Sequence, residues 1–140
     1  MPVDIAPSVS VKAPESEKIT VNLGFVDLGQ IDLLVAEGFY GNRSDFIRTA
    51  IRNQLTRHAD AVQQVVARKM LVLGLQTFSA DDLRRVQAAR QTLQIRVLGL
   101  AIIAADVTPE LALATIDSIE VLGALQASPA VKAALAGRWR

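Results

Sequence analysis

The sequence contains no cysteine, a single histidine and few aromatic residues, which make up 4% of the chain. The absence of cysteine excludes disulfide scaffolds, cysteine-ligated zinc, iron–sulfur clusters and thiol nucleophiles. The single histidine, His58, excludes a histidine-rich metal site, and no hydrolytic triad can be assembled convincingly around it. We therefore expect no metal, no cofactor and no enzymatic activity.

Long apolar segments are also missing, because charged residues interrupt every apolar stretch before about 18 residues. The first residues lack the basic start and apolar run of a signal peptide. The 140 residues are 51% hydrophobic and 21% charged, with a formal net charge of +1. This composition is typical of a globular protein. It predicts a cytoplasmic protein with no membrane partner.

The first part of the chain divides into an arm and a strand. Residues 1–17 contain three of the five prolines and no periodic pattern, which predicts a mobile arm. Polar and apolar residues then alternate from Lys18 to Leu23, which predicts a strand with one buried face. The other face would present Lys18, Thr20 and Asn22.

Two helices are predicted after this strand. Apolar residues three to four apart predict the first helix over about residues 27–37, ended by Gly38. Asn42 is a suitable N-cap for the second helix. Three residues later, the Asp45 carboxylate can accept the backbone N–H of Asn42, as in a capping box. An apolar stripe from Phe46 to Leu55 follows, and the helix can continue beyond His58. Residues 59–69 are predicted as a helical connector.

The remaining half of the chain repeats the run Val-Leu-Gly, which begins at Val72, Val97 and Val121. Each run lies in a short apolar segment that predicts a strand covered on both faces. Each is followed by a capped helix start. Residues 70–137 are therefore predicted as three β-α units with parallel strands. Their spacing favours a small solenoid, with a compact open α/β sheet as the alternative. The three helix starts are at Ser79, Thr108 and Ser128.

The glycines of these runs, Gly74, Gly99 and Gly123, lack the lysine and additional glycines of a phosphate-binding loop. We expect them to allow close packing or a strand bend. Trp139 is either part of a loose tail or an interface anchor, and the sequence does not choose between the two.

The strand Lys18–Leu23 and the helix start Asn42–Arg48 resemble the ribbon-helix-helix family of DNA-binding proteins, the Arc/MetJ/CopG group. The resemblance covers residues 18–57. It implies an α+β protein in which residues 18–58 form an intertwined dimer, followed here by the predicted β-α repeat domain. Strands from two chains would pair as an antiparallel ribbon, which fits the major groove.

The same resemblance implies the residues that contact double-stranded DNA. Lys18, Thr20 and Asn22 would reach base edges, since their side chains match the groups displayed in the major groove. The start of the second helix would bind phosphate, because free N–H groups lie there at a positive helix end. Its residues are Asn42, Arg43 and Ser44.

The charge of residues 17–58 differs from the usual basic footprint of a DNA-binding module. This segment contains five basic and five acidic residues, whereas DNA-binding proteins commonly show a basic patch. We therefore expect modest non-specific affinity, with binding dependent on specific contacts or on several dimers clustered along DNA.

Three functions remain open at this point. The first is a homodimeric, nucleoid-associated transcriptional regulator whose residues 70–137 form higher homo-oligomers through two open sheet edges. The second is an antitoxin that covers a toxin partner and regulates its own operon. The third is a self-assembling structural protein tethered to the nucleoid.

Overall fold

The computed structural model describes residues 16–140, which form two compact units, Ser16–Val65 and Val66–Arg140. All but the last two residues of the predicted arm 1–17 lie outside the described residues. Among those described, no helix is long and apolar enough to cross a bilayer. The mixture of helices with a parallel sheet agrees with the predicted fold class.

Six helices and three strands are found in residues 16–140. The first predicted helix is present. The second helix does not continue through His58, because His58 is its C-cap. The carbonyl of His58 accepts the Val62 N–H at 2.9 Å, so a new helix begins there. The elements in chain order are α1 Phe25–Ala36, α2 Arg43–Arg57, α3 Ala59–Lys69, β1 Val72–Phe78, α4 Ala80–Ala88, β2 Leu93–Ile103, α5 Pro109–Thr115, β3 Ile116–Gln126, α6 Pro129–Ala134 and a 3-10 turn Ala136–Arg138.

The strand predicted at residues 18–23 is not present in this single chain. Residues 16–24 have no regular secondary structure, and all of them are exposed. A strand requires a neighbour to accept and donate its backbone hydrogen bonds, and an isolated one is not stable in water. The described residues of one chain provide no such neighbour, so neither the predicted ribbon nor its buried face is formed here.

In residues 66–140 the strands form a parallel sheet in the order β1-β2-β3. The register pairs Val72 with Val97 and Val97 with Val121, so the three Val-Leu-Gly runs lie side by side. Helix α5 contacts both α4 and α6, which places the helices in one row. Sequential strands with a single row of helices are typical of a repeat stack, and this favours the predicted solenoid over the alternative of a compact open α/β sheet.

The core lies between the sheet and this row of helices. Alternate residues of β2 are buried there, beginning with Ile95 and Val97, and they pack with Leu83 of α4 and Val131 of α6. The helix starts at Ser79, Thr108 and Ser128 are confirmed, because each side chain accepts an N–H three residues ahead. Ser79 and Asp82 form a capping box, and this bonding lowers the pKa of the Asp82 carboxyl.

The expectation that the strands are covered on both faces was wrong. The face of the sheet opposite the helices carries two rows of paired apolar residues, in which Leu73, Leu75 and Leu122 are exposed. The pattern was misleading because a run without alternation is typical both of a strand covered on two sides and of one with an apolar open face. We call this surface the leucine face; its rows are Leu73, Leu98 and Leu122, then Leu75, Leu100 and Ala124.

The expectation that both sheet edges are open is wrong for the first part of β3, because the end of the chain lies against Ile119 there. Trp139 forms a parallel bridge with Ile119, and the Arg140 N–H donates to the Ile119 carbonyl at 2.8 Å. The Arg138 guanidinium donates to the carbonyls of Leu113 and Ile116. The chain end is therefore held against the sheet, whereas no described segment pairs with the outer edge of β1.

The paired glycines leave no room for a side chain between neighbouring strands at β2 and β3. Gly74, Gly99 and Gly123 all have positive φ angles, between 118° and 138°. A Cβ atom added to Gly99 would lie 2.1 Å from the carbonyl oxygen of Gly74, and one added to Gly123 would lie 2.1 Å from that of Gly99. The expected close packing is confirmed, and it explains why only glycine fits at β2 and β3.

We predict that Gly99→Ala destabilises residues 66–140 by about 2–6 kcal/mol, since backbone strain and overpacking each contribute about 1–3 kcal/mol. Urea unfolding measures the change. Gly137→Ala is the matched control, because no atom lies within 4 Å of its added Cβ. Equal stability of the two variants would contradict the assigned close approach.

Candidate nucleic-acid interface

An ion pair joins the first two helices at their corner. The Arg43 Nε donates to Asp32 Oδ1 and its Nη2 donates to Oδ2, both at 2.8 Å, so the guanidinium is held by two parallel bonds. Both side chains are about half exposed. Hydrogen bonding to Arg43 lowers the pKa of the Asp32 carboxyl, and the same bonds raise the pKa of Arg43. Arg43 therefore has a fixed orientation rather than a freely solvated one.

The start of α2 is organised by two further side chains. Asn42 is the N-cap, as predicted, and its Oδ1 accepts the Asp45 N–H at 2.8 Å. The Asp45 carboxylate accepts the Gly41 N–H at 2.9 Å, one residue earlier than a capping box requires. The ring of Phe46 packs edge-to-face against Tyr40 at a centroid distance of 5.0 Å. This corner is thus a locally rigid helix start.

The three predicted phosphate-binding residues, Asn42, Arg43 and Ser44, are consecutive and exposed at this helix start. The first N–H groups of a helix have no partner within it and lie at its positive end. Asp32 and Asp45 place two carboxylates at the same corner. Any anion held there is therefore recognised by directed N–H groups rather than by an excess of positive charge.

The three predicted base-contacting residues, Lys18, Thr20 and Asn22, lie in the extended segment before α1 and are exposed. Ile19 and Val21, which alternate with them, are also largely exposed. The single chain therefore presents the polar and apolar sides of this segment equally, and nothing in the described residues separates a groove-facing side from a core-facing one.

The unit formed by residues 16–65 buries only one residue, Ile31. Phe25 is 91% exposed, and along the predicted stripe of α2 the exposure is 53% at Ile51 and 60% at Leu55. Regularly spaced apolar residues are normally buried in a core. Most of the predicted core positions in this unit therefore lack a covering surface within the described chain.

Sequence reasoning identified Arg43 but missed its partner. Asp32 lies 11 residues before Arg43, on the exposed side of α1. One feature of the sequence indicated a contact between the two helices: a short turn joins α1 to α2 and brings their facing ends together. The spacing alone could not select Asp32 from the other acidic residues nearby.

The sequence profile of the ribbon-helix-helix transcriptional regulator family matches residues 14–132. Because this match covers most of the chain, the chain belongs to that family, and the resemblance of residues 18–57 is confirmed. Proteins of this class bind DNA and typically dimerise, and they are generally not enzymes. No curated protein and no solved structure gives a significant match.

The family match extends well beyond the segment that carried the resemblance. It passes through all three strands and ends within α6. The β-α repeats are therefore part of the matched region rather than an unrelated addition to a DNA-binding module.

We predict that Arg43→Gln raises the pKa of Asp32 toward the ordinary carboxyl range, because the two bonds that favour the ionised form are removed. The ion pair with Arg43 is complete above that range and is lost as the pH falls through the lowered pKa. Carboxyl carbon NMR titration measures this value. Arg52→Gln is the control, and an Asp32 pKa that did not respond to Arg43 would contradict the assigned contact.

Proposed function

We propose that this protein is a homodimeric, sequence-specific transcriptional regulator that binds the major groove with a two-stranded antiparallel ribbon. The observation that carries the proposal is the exposed apolar surface of residues 16–65. A unit of about 50 residues with one buried side chain has too little core to fold alone. A second copy supplies the missing surface, which agrees with the tendency of this class of protein to dimerise.

The extended segment gains a role from the same partner. When two copies of residues 18–23 pair antiparallel, one face of the ribbon carries Ile19 and Val21 from both chains. This face closes over the helices, and the opposite face presents Lys18, Thr20 and Asn22 twice. An asparagine can bind adenine through two hydrogen bonds, lysine can donate to guanine and the threonine methyl group can contact thymine.

The start of α2 positions this ribbon on the DNA backbone. The N–H groups of Arg43 and Ser44 are suited to a phosphate, and Asn42 fixes the local geometry. A guanidinium has five N–H donors, of which Asp32 uses two. The remaining donors of Arg43 can reach a phosphate without breaking the ion pair, so Asp32 acts as a positioning residue.

In this proposal residues 18–58 bind DNA and dimerise, residues 59–69 connect, and residues 70–137 join regulators into larger assemblies. The packed core of residues 66–140, with the chain end held against Ile119 of β3, supports a stable assembly domain. An antitoxin segment that folds only on its toxin would lack such a core. The regulator is therefore favoured over the antitoxin.

We predict that Ile51→Lys converts the dimer to a monomer and abolishes DNA binding, because it places a charge in the shared core. Light scattering of the wild-type protein should give twice 15.1 kDa or a multiple of it. Asn53→Lys is the control, since it adds the same charge to the opposite side of α2. A monomeric wild type, or a dimer that tolerated Ile51→Lys, would contradict the proposed interface.

We predict that Asn22→Ala weakens binding to the correct operator by about 1–3 kcal/mol and leaves non-specific binding nearly unchanged. The operator is first obtained by selection from random DNA, and affinities are then measured on selected and scrambled duplexes.

Two comparison variants make that measurement decisive. Asn53→Ala removes an exposed amide from α2 and should change neither affinity. Arg43→Ala should weaken binding to both duplexes equally and reduce the salt slope by about 0.9 for each phosphate that the arginine no longer neutralises. An equal decrease on both duplexes for Asn22→Ala would remove Asn22 from the base-reading residues.

A further inference from the structure

We infer that the β-α stack continues from one dimer to the next, with the outer edge of β1 paired parallel to the outer edge of β3 in another copy. The pairing keeps the register found within the chain, so Val72 lies beside Val121 of the neighbouring copy. This inference rests on the proposed function and deepens it, because it assigns the surfaces and the direction of the assembly made by residues 70–137.

Both outer edges of the sheet are available for pairing over the same repeated run. Strand β1 pairs only with β2, from Val72 to Phe78. The outer edge of β3 is bridged by Trp139 at Ile119, near its start, and no described residue pairs with that edge over Val121–Leu125. Neither run contains a charged residue or a proline, which commonly prevent edge strands from pairing.

Apolar side chains of β1 are exposed where the equivalent side chains of β2 are covered. Val72 is 45% exposed, whereas Val97, at the same register position of the inner strand, is fully buried. Leu73 is 71% exposed, whereas its partner Leu98 is partly buried. Terminal repeats of soluble stacks carry a polar outer face. The outer side of β1 has no such face, so it has the character of an inner repeat that lacks its neighbour.

The glycines indicate which strand the neighbour is and how it runs. A Cβ added to Gly99 or Gly123 would overlap the carbonyl oxygen of the glycine in the preceding parallel strand. Gly74 has the same positive φ, at 122°, but nothing lies within 4 Å of its added Cβ. Gly74 therefore lacks a preceding strand, and Gly123 lacks a following one among the described residues. The two ends fit each other, whereas pairing β1 with β1 would join two glycines that both lack a preceding strand.

The chain end leaves free the positions that this pairing uses. Trp139 lies beside Ile119, two residues before Val121. In the incoming copy, helix α3 ends at Lys69 and Met70 has a φ of 57°, so the chain leaves the strand direction just before β1. The chain end of one copy and β1 of the next therefore take successive positions along the outer edge of β3.

The contact joins different dimers rather than the two chains of one dimer. It brings together two different surfaces, so it is heterologous and extends into a row unless its rotation closes a ring. A two-fold dimer axis instead brings identical surfaces together. One strand edge is a small interface, which is weak between free dimers. Dimers bound side by side on DNA are held at a high effective concentration, which favours the pairing.

Cysteine cross-linking tests the register, since the sequence contains no cysteine. Four full-length variants are prepared: Leu73→Cys and Leu75→Cys on β1, and Leu122→Cys and Ala124→Cys on β3. Each β1 variant is mixed with each β3 variant at high protein concentration and oxidised. In the inferred register, position 73 faces 122 and position 75 faces 124 at about 5 Å, whereas the crossed pairs are about 8 Å apart. Disulfides need Cα atoms within about 7 Å.

We expect the two matched mixtures to form mixed disulfides at least about tenfold faster than the two crossed mixtures, because only the matched pairs lie within bridging distance. Mass spectrometry of the linked peptides identifies each disulfide. Arg84→Cys on α4, mixed with Leu122→Cys, measures random collision. Each variant is also oxidised alone, since Leu73→Cys or Leu75→Cys would then report β1–β1 pairing and Leu122→Cys would report packing of two leucine faces.

The outcomes separate edge pairing from the proposed dimer. Fast cross-linking in both matched mixtures supports the inference. Equal rates in matched and crossed mixtures, rates no higher than with Arg84→Cys, or faster cross-linking of one variant with itself overturn it. A dimer by light scattering that loses DNA binding in Ile51→Lys leaves the proposed function intact in each of these cases. A monomeric wild type overturns the proposed dimer, whatever the cross-links show.

Discussion

The structure depends on a shortage of core in residues 16–65. One side chain of this unit, Ile31, is buried, while the apolar stripe of α2 and the apolar positions before α1 remain exposed. Hydrophobic burial is the main favourable term in folding, so a chain with this distribution gains stability by sharing surface with a copy of itself. In the proposed dimer, the same association supplies a neighbouring strand for the segment before α1. The proposal therefore derives dimerisation, ribbon formation and the presentation of polar side chains to DNA from one physical requirement.

Residues 66–140 differ from residues 16–65 because they bury a hydrophobic core within one chain. Each strand-helix unit is too small to be stable alone, and stacking three of them produces a continuous apolar layer. The in-register glycines set the spacing of this stack, because the backbone of one strand occupies the place where a neighbouring side chain would begin. The end of the chain then covers the β3 edge at Ile119, near the start of that strand.

Net positive charge contributes little at the predicted phosphate-binding site. The acidic residues Asp32 and Asp45 lie at the same helix start as Arg43, so the corner of α1 and α2 is nearly neutral. Non-specific attraction to DNA increases with the number of uncompensated basic residues, so a neutral corner contributes little to it. In the proposed function, recognition therefore depends on the direction of hydrogen bonds from fixed groups, and assembly of several dimers would raise the affinity that single contacts do not provide.

Local patterns in the sequence determined the helix starts at Asn42, Ser79, Thr108 and Ser128, the family, and the stacking of the three Val-Leu-Gly runs. These features depend on neighbouring residues or on a regular repeat, which a linear sequence records directly. Tertiary structure alone decided that Asp32 binds Arg43, that Trp139 and Arg140 contact Ile119 of β3, and that one face of the sheet is left open by residues 16–140. Such contacts join residues far apart in the chain, and their geometry depends on how strands and helices turn in space. The segment 18–23 shows the limit of both, since the alternation of its residues predicts a strand, whereas the described residues of one copy contain no neighbour against which a strand could form.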